Sequence, residues 1–169
     1  MADLSINAFK GNFISGARPN LYAVTIAELG STLEFVCRGS QLPSSSMGMI
    51  DVPYMGRQLK VAGNRIFADW TITVLNDTNF AVRQAVEAWS SLINGHESNV
   101  GPVDINAYYR NATVQQLDQA GGILYTYEFK DIWPTEISEI ELAFDSNDAI
   151  EEFTITFAVG SYWLSNGAA

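Results

Sequence analysis

Apolar and polar residues alternate with a period of two through much of this chain. The alternation is clearest in three segments, residues 66–75, 123–130 and 150–159. Each segment places aromatic or branched apolar residues on one side and mostly threonine with scattered acids on the other. Because successive side chains of a strand point to opposite faces, these segments predict strands that bury one face only.

Shorter alternating runs predict the remaining strands. They lie at residues 21–28, 33–38, 57–62, 104–109, 112–118 and 139–143. A Gly-Ser pair at 30–31 predicts a hairpin between the first two, and a Gly-Asn pair at 63–64 predicts a tight turn. A Trp-Pro pair at 133–134 is expected to end the strand at 123–130.

Residues 40–56, SQLPSSSMGMIDVPYMG, interrupt the alternation and predict a long loop. Loops of this length in compact domains are generally either functional or disordered. This one contains apolar residues that a solvated loop does not need: Met47, Met49, Ile50 and Tyr54. We therefore expect the loop to contact another molecule.

One segment, residues 79–93, has helical periodicity instead. Asn76 or Asp77 can cap its start, and Gly95 follows as its stop. Its apolar positions at helical spacing are Val82, Val86, Trp89 and Ile93. These predict an amphipathic helix that covers the outer face of a sheet.

The predicted fold is mainly β with one α-helix, in a single domain spanning residues 1–169. We expect two packed antiparallel sheets, as in a β-sandwich or half-barrel. Few lysines protect the strand edges, Lys60 and Lys130 being the exceptions, and open edges promote aggregation. One solution is a sheet that continues into neighbouring subunits until it closes.

Composition points to an assembly. Charged residues make up only 17%, against about 25% in typical domains, and aromatic residues reach 12%. A chain with so few charges either has a surface of uncharged polar groups or buries part of its surface in an assembly. The aromatic content favours the assembly, and a monomer with a large aromatic core is the alternative. The net charge of -10 argues against a protein that grips phosphate groups.

The residues that carry chemistry form no recognisable set. His96 is the single histidine, in a polar loop, and Cys37 is the single cysteine, in an apolar run, so zinc binding is not expected. Residues 145–148 lack the glycine and spacing of a calcium loop. The sequence therefore predicts no catalysis, no cofactor and no metal.

Targeting signals are not apparent either. The N-terminal residues lack a signal-peptide pattern, and no run approaches the roughly 18 apolar residues of a membrane helix. With a single cysteine, no internal disulfide can form. We expect a protein made in the cytosol, without membrane insertion of its own.

One acidic stretch remains open to two interpretations. Residues 136–152 carry seven acidic side chains and no basic one. The stretch is either a solvated surface or an acidic face presented to a partner or to a lumen.

Three longer motifs carry a family resemblance. Residues 51–77, DVPYMGRQLKVAGNRIFADWTITVLND, are followed at once by the helix-like NFAVRQAVEAW, and the C-terminal third contains FKDIWPTEISEIEL and DAIEEFTITFAVGSYW. In this order and spacing the chain resembles the tail tube proteins of contractile-tailed, T4-like bacteriophages. The resemblance covers about residues 18–163. Relatives commonly carry an acid where Asn64 and Ala68 stand here, so bore charge is expected to be lower.

The resemblance implies a structural role. Proteins of this family form six-membered rings whose sheets merge into one barrel, and the rings stack into a pipe. The implied partners are further copies of the chain, a sheath outside, baseplate and terminator proteins at the ends, and double-stranded DNA passing without specific binding. The implied location is the virion tail, assembled in the cytoplasm of the bacterial host.

Two sets of residues acquire roles from this resemblance. The polar strand sides would line the bore, through Asp69, Thr71, Thr73, Glu152, Thr154 and Thr156. The apolar residues of the 40–56 loop, listed above, would make the contact between rings.

Other functions are less favoured. Tubes of bacteriocins and of type VI secretion share the fold, although type VI tube proteins usually lack the Trp-Pro-Thr segment at this spacing. A carbohydrate-binding β-module would need exposed aromatic residues in a cleft, whereas Trp89 is expected to face the core. An enzyme would need a catalytic set that the sequence does not show.

Overall fold

The computed structural model describes residues 5–13 and 16–165. Within them, the helices are α1 (Ile6–Asn12), α2 (Thr32–Val36) and α3 (Ala81–Ile93). The strands are β1 (Tyr22–Ile26), β2 (Cys37–Ser40), β3 (Ser45–Tyr54), β4 (Arg57–Phe67), β5 (Trp70–Leu75), β6 (Arg110–Leu117), β7 (Ile123–Ile137), β8 (Glu152–Ala158) and β9 (Ser161–Ser165). The mainly β prediction is confirmed. No helix among the described residues is long and apolar enough to cross a membrane.

The strands form two antiparallel sheets. Seven strands make one sheet in the order β1-β6-β7-β8-β5-β2, with β9 beside β7, while β3 and β4 pair only with each other. The long strand β7 connects the two halves of the large sheet. Its first half pairs with β6 and β9, and its second half pairs with β8. Asp131, with a φ of 56°, lies between the two halves.

The core lies on one face of this large sheet. Strands β5 and β8 alternate strictly between buried and half-buried or exposed positions. Trp70 stacks on Phe129 with ring centroids 4.6 Å apart, which joins the two halves of the sheet. The indole Nε1 of Trp70 donates to Ser40 Oγ at 3.1 Å, so the buried ring also satisfies its polar group.

Helix α3 covers the apolar face of the sheet. Val82, Val86 and Trp89 are buried, and Ile93 is half-buried against the same core. The Trp89 ring lies 5.8 Å from Phe157, and its Nε1 donates to the Tyr108 carbonyl at 2.8 Å. The N-cap residue is Phe80 and not Asn76 or Asp77, although the backbone N–H of Ala81 donates to Asp77 Oδ1 at 3.0 Å and so finds a partner before the first turn.

Residues 33–38 were expected to form a strand, and this expectation is wrong. The segment 32–36 forms α2, which buries Leu33, and β2 begins only at Cys37. The predicted hairpin does not exist, because β1 pairs with the distant β6 and β2 pairs with β5. The count of one α-helix is likewise wrong, since the described residues contain three.

The expectations for residues 40–67 also need correction. The predicted loop at 40–56 contains the ten-residue strand β3, and β4 continues through the predicted turn at 63–64. The two strands form an exposed hairpin. Ile66 belongs to this hairpin and is exposed, so it does not share the buried side of Trp70.

Three smaller predictions fail in the second half of the chain. Residues 105–107 form a 3-10 turn where a strand was expected, and residues 139–143 form no strand. The Trp-Pro pair at 133–134 does not end β7, which runs on to Ile137. Proline is tolerated there because this part of β7 pairs on one side only. The short strand β9 was not predicted.

Candidate functional site

Four strands present a continuous polar face on the side of the sheet away from the core. We define the polar face as the side that carries the strand threonines, formed by β2, β5, β8 and residues 133–137 of β7. Thr71 lies directly opposite Thr156, and Thr73 lies opposite Thr154. The hydroxyl oxygens of Thr71 and Thr156 are 3.3 Å apart, a hydrogen bond between neighbouring strands. The four threonines predicted from alternation therefore come together as one ladder.

The two acids predicted for this surface differ in whether a basic side chain pairs with them. Asp69 is exposed and lies two residues before Thr71, just outside β5. Glu152 begins β8 opposite Leu75, and its carboxylate is paired with the Arg38 guanidinium from β2. The charge of Glu152 is thus compensated within the chain, which the sequence pattern did not indicate.

A third acid lies on the polar face, although the sequence placed it only in the acidic stretch 136–152, because β7 was expected to end early. Glu136 is exposed and lies opposite Thr156, so it extends the polar face onto the second half of β7. The neighbouring Thr135 donates its hydroxyl to the Thr156 carbonyl at 3.0 Å.

Both lateral edges of the polar face are open among the described residues. β2 is the last strand in the sheet order, and residues 133–137 of β7 pair with β8 alone. A sheet with two open edges can be extended by a strand from another copy on each side.

A second candidate surface is the arm, which we define as the β3–β4 hairpin, residues 45–67. Its tip is a two-residue turn in which Met55 and Gly56 have φ values of 45° and 80°. Positive φ at both central residues is the geometry of hairpin turns that match strand twist. Residues 44–62 are all exposed, so the arm projects from the rest of the chain.

The middle of the arm contains a bulge between glycines. Gly48 faces both Gly63 and Asn64, where the pairing shifts by one residue. A Cβ atom on Gly63 would lie 3.1 Å from the Gly48 carbonyl carbon, a tighter contact than most Cβ atoms make, so the two backbones approach closely here. The Gly-Asn pair therefore marks a bulge instead of the predicted turn.

Beyond the bulge, the arm has two unlike faces. One face pairs Ile50 with Val61 and Val52 with Leu59, and ends at Tyr54 beside Arg57. The opposite face consists of paired Met49 and Ala62, Asp51 and Lys60, and Pro53 and Gln58. Leu59 is 64% exposed and Tyr54 is 70% exposed. The first face, which we call the apolar arm face, is uncovered.

The predicted inter-ring residues are divided by this geometry. Ile50 and Tyr54 lie on the apolar arm face, whereas Met49 lies on the opposite face and Met47 lies before the bulge. Val52, Leu59 and Val61 were missed, because a loop has no faces and the strand predicted at residues 57–62 was not expected to pair with it. Pairing across the hairpin is the signal that identifies them.

The base of the arm is attached to the body. The Tyr162 hydroxyl donates to the Pro43 carbonyl at 2.7 Å, and the rings of Phe67 and Tyr162 meet with centroids 5.2 Å apart. The N–H of Ala68 donates to the Ser44 carbonyl at 3.0 Å. The arm is therefore fixed where it leaves the body.

Reactive groups are either buried or isolated. Burial raises the pKa of the Cys37 thiol to about 11, which disfavours the nucleophilic thiolate. His96 is exposed in its loop. No three His, Cys, Asp or Glu residues gather as a metal site in the part of the chain described. The candidate sites in the described residues are the polar face and the arm.

A family model described as phage tail tube protein matches residues 7–165. The chain belongs to the phage tail tube protein family. The tail tube protein gp19 of Enterobacteria phage T4 is 37% identical over 148 residues, covering 87% of this chain and 90% of that protein. The resemblance inferred from the motifs is thereby confirmed.

Solved structures share the fold of this tail tube family member. The tube-terminating cap of the anti-feeding prophage aligns with a TM-score of 0.70 at 16% identity, covering 89% of this chain and 91% of the other. A chain of the sheath-tube complex of PVC, an extracellular contractile injection system in its extended state, aligns with a TM-score of 0.65 at 15% identity. There the coverage is 96% of this chain and 99% of the other.

Proposed function

We propose that this phage tail tube protein forms stacked six-membered rings whose bore conducts genomic DNA. The observation that supports this most is the polar face, four strands wide and open at both edges. β2 of one copy would pair with residues 133–137 of β7 in the next, and the ring would close when the last copy meets the first. Closure removes every open edge of this half of the sheet.

The size of such a ring suits DNA. About 24 strands, four from each of six copies, give an untilted circumference of about 115 Å at about 4.8 Å per strand. A strand tilt of about 40° widens the barrel to a diameter of about 50 Å, which side chains narrow by about 10 Å. A double helix with a layer of water fits this space.

The side chains of the polar face suit a bore that does not hold DNA. In this proposal Asp69, Glu152 and the four threonines line the lumen, which is the role that the family resemblance implies for them. Among the described residues no salt bridge engages Asp69, whereas the ion pair with Arg38 compensates Glu152. Threonine hydroxyls keep the wall hydrated, and few cations are present to bind phosphates. DNA would therefore slide without specific contacts.

The opposite side of the sheet would face outward. Helix α3 lies on the apolar side, away from the polar face, so we place it toward the sheath. Baseplate and terminator proteins would bind at the two ends of the tube, and assembly would take place in the bacterial host cytoplasm before incorporation into the virion tail. We propose no catalytic role, in keeping with the structural character of the family.

The arm would provide the contact between rings. Its apolar face is exposed in the single copy although Ile50, Val52, Leu59 and Val61 are all apolar. Exposed apolar patches of this kind mark interaction sites in soluble proteins. We propose that a copy in the adjacent ring covers it.

A tube of a phage-derived injection system is the alternative function. It is favoured by the shared fold with the anti-feeding prophage and PVC chains, at 16% and 15% identity. The 37% identity to the phage T4 protein favours a virion tail. Sequencing of nucleic acid inside purified particles separates the two, because only the virion tail belongs to a DNA-filled head. The carbohydrate-binding alternative loses its support, since Trp89 is buried.

Electron microscopy of concentrated purified protein tests the proposed assembly. We expect rings or tubes whose end views have six-fold symmetry and an open bore. Monodisperse single copies at every concentration and salt condition, even with tail baseplates added as nuclei, would contradict the proposal.

A further inference from the structure

Two exposed surfaces lie at opposite ends of the polar face. Strand β5 runs from Trp70, three residues beyond the arm, to Leu75. Leu75 lies opposite Glu152, the residue at which the chain enters β8 from the loop that follows β7. We define the acidic loop as residues 139–150. The arm and the acidic loop are therefore separated by the length of the sheet strands.

The acidic loop combines negative charge with uncovered apolar side chains. Its acids are Glu139, Glu141, Asp145 and Asp148, and it contains no basic residue. Leu142 and Ile150 are 78% and 72% exposed, and Phe144 is fully exposed. A purely solvated acidic surface does not need three such side chains.

Hydrogen bonds hold the ends of this loop in place. The Arg83 guanidinium donates to the Ser138 carbonyl at 2.8 Å. The N–H of Asn76 donates to the Glu151 carbonyl at 2.8 Å, and the Asn76 side chain donates to the Glu151 carboxylate at 3.0 Å. The loop therefore starts and ends on a fixed platform beside α3.

The arm has the complementary character. Arg57, Lys60 and Arg65 lie in the arm against one acid, Asp51, although the whole chain has a charge of -10. Outside the arm, salt bridges compensate every arginine except Arg18, namely Arg38, Arg83 and Arg110. Within the described residues, no salt bridge engages an arm cation. The arm is thus a basic and apolar element in an acidic protein.

We infer that the arm of one copy docks on the acidic loop of a copy in the next ring. This inference rests on the proposed stacking of rings and names the surface that receives the arm. The apolar arm face would cover Leu142, Phe144 and Ile150, while Arg57, which ends this face beside Tyr54, approaches the loop acids. Because the two surfaces are different and lie at opposite ends, each docking leaves a free arm and a free loop, so the contact propagates head to tail.

Charge exchange between the two surfaces tests the inference. Variant one carries Arg57→Glu, and variant two carries Glu141→Lys. We expect either variant alone to shorten tubes at least about fivefold, because like charges oppose each other across the contact. A chain carrying both substitutions should recover most of the tube length. If this doubly substituted chain forms tubes no longer than those of the worse single variant, the docking partner assigned here is overturned.

Disulfide trapping gives an independent measurement. Copies with Leu59→Cys are mixed with copies carrying Phe144→Cys, then assembled and oxidised. The native Cys37 is buried and is therefore not expected to form disulfides in this experiment. We expect disulfide-linked dimers of one copy of each kind. The matched control replaces Phe144→Cys by Leu92→Cys, an exposed position on α3, and should give no dimers.

The outcomes also distinguish the inference from the proposed function. Tubes that form normally but give no Leu59→Cys to Phe144→Cys dimers overturn the inference and leave the tube function intact. Wild-type protein that forms no rings or tubes counts against both. Chemical denaturation of each variant, with a midpoint near that of the wild type, excludes misfolding as the cause of lost assembly.

Discussion

The β5–β8 pair and the β3–β4 arm are built from the same kind of strand but differ in what covers them. Both are antiparallel pairs, and both contain branched apolar residues. In β5 and β8 the apolar side chains are buried beneath α3 and the facing strands. In the arm, every side chain of β3 is exposed.

This difference indicates two sources of stability. The body derives its stability from apolar surface removed from water, at about 25 cal/mol per Å². The arm satisfies its backbone hydrogen bonds in the hairpin but buries little, and two-stranded hairpins are marginal by themselves. Its apolar residues contribute fully only when another molecule covers them.

The largest effect is expected from substitutions on the apolar arm face. Ile50→Ser with Leu59→Ser should abolish tube formation, because the uncovered side chains serve the contact between copies. The unfolding free energy should change by less than about 0.5 kcal/mol, as for most exposed positions. Electron microscopy and urea denaturation measure the two quantities. Met49→Ser, on the opposite arm face, is the control, and equal loss of tubes with it would refute the importance of the face.

The body should show the reverse response. Trp89→Ala removes a buried ring that contacts Phe157, and should lower the unfolding free energy by about 3–5 kcal/mol through the cavity left behind. Leu92→Ala, on the exposed side of the same helix, should lower the unfolding free energy far less. A loss below about 1 kcal/mol for Trp89→Ala in thermal or urea unfolding would contradict the packing of α3.

Reversal of a charge on the polar face should alter transport without preventing assembly. Asp69→Lys in phage tails should slow DNA release several-fold at low salt and less at high salt, since the Debye length falls from about 30 Å at 0.01 M to about 8 Å at 0.15 M. Glu87→Lys, the same change in charge on α3, is the control. Unaltered release with Asp69→Lys would show that Asp69 does not face the bore.

The smallest effect concerns the single cysteine. Burial raises the pKa of Cys37 to about 11, so the thiol stays protonated at neutral pH and becomes a thiolate only as the pH approaches that value. We expect no reaction with a thiol reagent in the native protein at pH 7 and full reaction in denaturant. Leu59→Cys should react at once in the single copy. Rapid native labelling of Cys37 would contradict its burial.

Several features were predictable because they depend on local periodicity. The alternation of β5 and β8 identified their buried and polar sides, and the spacing of Val82, Val86 and Trp89 identified α3. The threonine ladder follows from these two strands once they pair. Each of these signals lies within about ten consecutive residues.

Other features could not be predicted, because they depend on partners far away in the chain. Residues 33–36 alternate like a strand, yet they form a helix that places Leu33 in the core beside β1 and β5. Strand β3 was mistaken for part of a loop because Ser, Gly and Pro interrupt it, although β4 supplies partners on both sides of the bulge. Glu136 joined the polar face only because β7 continues past Pro134 to pair with β8.

The sequence by itself determined the mainly β class, the two sides of the principal strands, the amphipathic helix and the family. Tertiary structure alone decided the strand order, the projection of the arm, the compensation of Glu152 by Arg38, and the separation of arm and acidic loop to opposite ends of the sheet. The physical reason is that side-chain direction along a strand repeats every two residues and is fixed locally. Strand pairing and burial, by contrast, join residues as distant as Ile26 and Ala112 and are decided by the packing of the whole chain.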